Sequence, residues 1–117
     1  MRGKKKERFC ELLAKLIIKS EISKVKFYTA VGITKPYFYD ILSGKVNPPP
    51  PLRQFAMIKQ LKPTKEERLL FFDLAAKERG EVPADIAELL KDEKIMAKLR
   101  TEKEYKELFM NGENKDE

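Results

Sequence analysis

The sequence predicts an all-α protein, and three observations carry that prediction. Apolar residues return every three or four positions in successive segments, which gives a helix one apolar stripe. Start and stop signals bracket those segments, with Ser or Thr before and glycine or proline after. No segment shows the apolar–polar alternation of a half-buried strand.

The first segment, "ERFCELLAKLIIKS", places Phe9, Leu12, Leu13, Leu16 and Ile17 on one face. Ser23 is the expected cap of a short second helix, "KVKFYTAV", with Phe27 and Val31 as its inward pair and Gly32 as its end. Thr34 is the expected cap of a third, with Pro36 tolerated in the first turn and Gly44 closing it. Pro48 to Pro51 read as a stiff extended turn. A fourth helix, "LRQFAMIKQL", is expected to turn Leu52, Phe55, Ile58 and Leu61 inward. Thr64 and Glu67 have capping-box spacing ahead of "RLLFFDLAAKER", which Gly80 closes. "VPADIAELLKDEKIMAKLR" restarts at Pro83 and is compatible with one helix or two. Thr101 and Glu104 repeat the capping-box spacing before "EKEYKELFM", and 111–117 read as a frayed tail.

At 117 residues the chain is one ordinary domain by length, able to bury a modest core. Its single cysteine, Cys10, excludes an internal disulfide and a cysteine-built metal site, and suits a reducing compartment. The absence of histidine removes the commonest general base and metal ligand. No nucleophile–base–stabiliser set can be assembled, Cys10 lacks a partner base, and Asp92 and Glu93 sit among mixed charges. An enzyme is therefore not expected, nor a cofactor or metal. No apolar run approaches membrane length and the basic start is not a secretory signal, so the expected location is cytoplasmic.

Charge is unevenly spread. Residues 1–62 hold 14 Lys/Arg against 4 Asp/Glu, and 63–117 hold 11 against 15. The basic part points to a polyanion and the acidic part to something else. "KKKER" at 4–8 reads equally as an arm following a duplex or as a solvated leader. Pro48 to Arg53 fits P-x-x-P-x-R, but a rigid connector is the better reading there.

Two short helices joined through Gly32 make a helix-turn-helix unit, since glycine accepts the backbone angle such a turn needs. Phe38, Ile41 and Leu42 share one face of the second helix. Lys35, Pro36, Tyr39, Asp40 and Ser43 share the other, with Tyr37 at the border. The run "VGITKPYFYDILSGKVNPP" resembles the Xre/Cro family of bacterial and phage helix-turn-helix regulators, and residues 8–62 span that family's domain. The resemblance implies a five-helix lambda-repressor-like fold there, followed by a helical extension, with double-stranded DNA as partner. It implies base-facing Lys35, Pro36, Tyr37, Tyr39 and Asp40, and phosphate-facing Lys24, Ser43, Lys45 and Asn47. Lys35 can donate to guanine O6 and N7, and the tyrosines can lie on a thymine methyl or a sugar. Asp40 can accept from cytosine N4 or stand as a solvated carboxylate.

The chain departs from the family pattern in three places. Tyr28 stands where a small alanine is usual, so a ring must fit between two helices. Ile17 and Leu42 replace a frequent Arg–Glu pair, an exchange that can be neutral or stabilising. Pro36 replaces a residue able to hydrogen-bond a base.

The acidic half, taken as 63–110, carries "RLLFFDLAA", apolar nearly all round. Leu70, Phe71, Phe72 and Leu90 are candidate dimerisation residues; the alternative is a monomer in which Ile86, Leu89, Leu90, Ile95 and Leu99 cover the patch. A homodimer would offer two recognition helices to a palindrome ~34 Å apart. The expected function is a sequence-specific transcriptional regulator, a repressor acting as a homodimer. The alternative is an antitoxin-like or adaptor protein whose acidic half binds a protein partner.

Overall fold

The computed structural model describes residues 7–106, so the basic positions 4–6 and the tail 111–117 lie outside the described residues. Among the described residues there are seven helices and no strand: α1 (Phe9–Ser20), α2 (Lys24–Val31), α3 (Lys35–Ser43), α4 (Pro51–Leu61), α5 (Lys65–Arg79), α6 (Ala84–Leu89) and α7 (Glu93–Lys106). None is long and apolar enough to cross a membrane.

One compact unit runs to Ala84 and a second begins at Asp85. The first unit thus extends past the 62/63 boundary expected from the sequence. Residues 8–62 hold four helices, not five; the fifth, α5, belongs to the same unit. The reason is burial. Phe71 and Phe72 are completely enclosed, and Phe71 meets Phe9 of α1 with ring centroids 4.9 Å apart. Both phenylalanines, candidates for dimerisation in the sequence, are thus already covered by the chain's own packing. Leu70 is exposed and Leu90 half-buried.

The core of the first unit follows the helical spacing. α1 buries Phe9, Leu12, Leu13, Leu16 and Ile17; α2 buries Phe27 and Val31; α3 buries Phe38 and Ile41. Phe27 and Phe38 stack at 5.7 Å, joining α2 to α3. Tyr28 fits between them half-buried, its ring 5.4 Å from Phe38. Ile17 is buried and Leu42 packs against the core, so apolar contact stands at both positions.

α4 departs from the expected inward set only at Leu52: Leu61 is buried, and Phe55 and Ile58 pack against the core. Its buried residues are Gln54, Met57 and Leu61, while Leu52 is 73% exposed. Four residues spaced by three drift round a helix, so Leu52 and Leu61 lie roughly 180° apart. Gln54, Met57 and Leu61 share a sector roughly 60° wide. Pro51 is the first residue of this helix, so the extended turn stops at Pro50.

The segment after Pro83 forms two helices. Asp92 starts the second by accepting from the amides of Lys94 (2.8 Å) and Ile95 (3.3 Å). Thr101 is no cap, because α7 runs through it and its hydroxyl donates to the Ala97 carbonyl.

Candidate nucleic-acid interface

The turn between α2 and α3 is shaped by Gly32, at φ 85°. In this left-handed conformation the amides of Gly32 and Ile33 both reach the Tyr28 carbonyl, at 3.0 and 3.1 Å, closing α2. Thr34 Oγ1 then accepts from the Tyr37 amide at 3.3 Å and starts α3. With no intrahelical donor needed at the second position, Pro36 fits without loss. Phe38 and Ile41 anchor the inner face.

Four of the five residues expected on the outer face are exposed, and Asp40 is not. Lys35, Pro36 and Ser43 are exposed, and Tyr39 is 41% exposed. Its ring sits edge-on to Phe38 at 5.0 Å, which braces it without burying it. Tyr37 and Asp40 are half-buried, and Tyr37 also packs against the core. Ser43 Oγ donates to the Asp40 carbonyl at 3.1 Å, so its hydroxyl proton is already used locally. Asp40 has no hydrogen-bond or ion-pair partner for its carboxylate among the described residues.

α3 ends at Gly44, at φ 82°. The Lys45 amide donates back to the Asp40 carbonyl at 2.9 Å, folding the following connector over the last turn. Lys45 and Asn47 are exposed on that connector, and Lys24 is exposed at the start of α2. Lys24, Lys35 and Lys45 have no carboxylate partner among the described residues, unlike Lys15 and Lys19, which pair with Glu7 and Glu67. Their ammonium groups thus stand on α2, on α3 itself and on the connector that follows it.

Four residues unforeseen in the sequence hold this region from behind. Arg8 Nη2 donates to the Gly44 carbonyl at 3.2 Å. Arg53 Nη1 donates to the Val31 carbonyl at 3.3 Å, at the electronegative end of α2. Gln54 Nε2 donates to the Pro49 carbonyl at 2.8 Å, which is why a polar side chain is buried. Arg79 Nη1 donates to the Pro48 carbonyl at 3.0 Å. The signal was present but unaddressed. Pro48 to Pro51 bring no amide donors, so their carbonyls need donors from elsewhere. Nothing local says which side chains will supply them.

Two carboxylates of the same unit are strongly engaged. The Lys19 ammonium and then the Thr64 amide hold Glu67 below the usual carboxylate range. The Arg79 guanidinium does the same for Glu81, and Glu81 in turn raises Arg79. Among the described residues no three His, Cys, Asp or Glu groups gather as a metal site would require. Comparison with known proteins found no matching family model, no matching curated protein and no matching solved structure.

Proposed function

We propose that this protein is a sequence-specific DNA-binding regulator of the Xre/Cro type, a repressor acting as a homodimer. Under this reading α1–α5 form a five-helix lambda-repressor-like domain and α3 is its recognition helix in the major groove. One observation carries the reading: α3 is anchored by Phe38 and Ile41 and turns Lys35, Pro36 and Tyr39 outward, between elements bearing unpaired Lys24 and Lys45. An anchored face with free cations either side suits a polyanion whose base edges are read in the middle. In this arrangement Lys35 and Tyr39 meet bases first, Lys24, Lys45 and Asn47 meet phosphates, and Tyr37 contributes only its outer edge. Phosphate neutralisation would make binding strongly salt-dependent, at about −0.9 in log–log slope per contact.

Selection of duplexes from random sequence by mobility shift, with Lys35→Ala beside the parent, tests this. A palindrome enriched by the parent and lost in the variant is the expected result. Binding that ignores Lys35 and disappears at physiological salt would reduce the face to a basic surface.

A second reading has its own observation. Residues 85–102 bury no side chain fully, and Ile86, Leu89 and Leu99 are exposed. That composition suits a dimer contact or an adaptor's protein partner, and Leu70 and Leu90 remain the candidates from the sequence. Light scattering after size exclusion separates the two: a strict monomer at every concentration leaves the adaptor.

A further inference from the structure

The last turn of α5 is tied to the end of α3 at two points. Glu78 Oε2 accepts from the Phe9 amide at 2.8 Å, and its other oxygen faces Arg8 Nη2 at 4.0 Å. Arg8 Nη2 in turn holds the Gly44 carbonyl. One residue on, Arg79 is mostly sheltered, its side chain 22% exposed. It presents Nε and Nη2 to the two oxygens of Glu81, each at 2.9 Å, and Nη1 to the Pro48 carbonyl at 3.0 Å. A planar fork held on one side by a carboxylate has its remaining edge fixed in direction.

That direction matters because of what the edge holds. Pro48 and Pro49 are buried. The four prolines carry no N–H, so the connector cannot secure itself through its own amides. Its carbonyls are taken one by one: Pro48 by Arg79, Pro49 by Gln54, and Pro50 by the amides of Arg53 and Gln54. Gln54, Arg53 and Pro50 all belong to the start of α4. Arg79 reaches the connector from α5, at the residue directly after Asn47.

We infer that Arg79, braced by Glu81, is a positioning residue that fixes the connector after α3 and so sets where Lys45 and Asn47 stand. It acts through the Pro48 carbonyl and makes no contact with nucleic acid itself. Its consequence for affinity rests on the DNA-binding reading; its effect on the connector does not.

Two measurements on the full chain test this, with Arg79→Ala and the milder Arg79→Lys beside the parent. The first is amide hydrogen exchange at Lys45, referenced to Leu13 in the core. The Lys45-to-Leu13 ratio should rise about tenfold in Arg79→Ala and less in Arg79→Lys, because the opening is local. Exchange that rises equally at both amides, or at neither, overturns the inference. The second is binding of a fluorescent duplex of fixed sequence across salt concentrations. Arg79→Ala should weaken it about tenfold, the size of one interface contact, with the salt slope unchanged. A slope smaller by about 0.9 would make Arg79 a phosphate ligand and overturn the positioning role. Failure of the parent to bind any duplex would remove the DNA-binding reading, and the exchange ratio would still decide the role of Arg79.

Discussion

Residues 7–84 and 85–102 are both helical and both carry leucine and isoleucine, yet only the first set makes a core. In the first, Phe9, Phe27, Phe38, Phe71 and Phe72 are all enclosed. In the second, no described side chain is fully buried. Hydrophobic stabilisation grows with apolar area removed from water, and α1 to α5 bring their stripes to a common centre. Among the described residues the apolar side chains of 85–102 reach no such centre. Amphipathic spacing forms a helix; convergence of several such faces forms a core.

That contrast is testable at its extremes. Phe38→Ala should cost about 3–5 kcal/mol in urea unfolding, because it empties the space between α2 and α3. Leu99→Ala, at a 44% exposed position, should change stability by no more than about 0.5 kcal/mol. Comparable losses at both sites would dissolve the distinction between the two regions.

Within the first region, Gly44 and Gly80 sharpen it further. Both have positive φ, so alanine at either carries the left-handed penalty of about 1–2 kcal/mol. At Gly44 an added Cβ would also lie 2.7 Å from Arg8 Nη1 and 3.0 Å from Cys10 Sγ, whereas nothing lies within 4 Å at Gly80. Thermal melts should therefore place Gly44→Ala below Gly80→Ala. Equal melting temperatures would mean that Arg8 yields freely and does not brace the end of α3.

The smallest expected effect is on acid stability. Glu67 and Glu81 are held below 4.5 in the folded protein, by Lys19 and Arg79 respectively. A depressed folded value means the stabilisation is complete above pH 4.5 and is lost as pH falls through the folded values. Glu81 is exposed and Glu67 half-buried at the surface, where solvent screens both pairs, so the loss is shallow. Glu67→Gln and Glu81→Gln should lower the neutral plateau of the stability curve slightly and so flatten the acid limb below pH 4.5. An acid limb identical to the parent's would show that neither pair carries stability.

Much of the first region is legible residue by residue. Ser23, Thr34 and Thr64 cap α2, α3 and α5, and Gly32, Gly44 and Gly80 end the same helices, because capping depends on neighbours within five positions. The faces of α1 and α3 follow for the same reason, their apolar residues being clustered tightly enough to name one side. On that basis the spacing predicts Lys35, Pro36 and Tyr39 outward, and all three are exposed. On α4 the burial of Gln54 is not legible, because a glutamine is invisible to an apolar pattern. Its burial depends on the Pro49 carbonyl, a partner set by the path of the connector.

By itself, then, the sequence determined the helices, most of their boundaries and the outer face of α3, since each rests on local backbone sterics, capping or 3.6-residue spacing. Only the tertiary structure decided that α5 joins the first unit, that Phe71 and Phe72 are core, and that Arg8, Arg53 and Arg79 clamp the ends of α2, α3 and the connector. Those outcomes join residues 22 to 69 positions apart. A long side chain such as arginine reaches whichever carbonyl the packed chain brings near, and no local pattern records which one that will be.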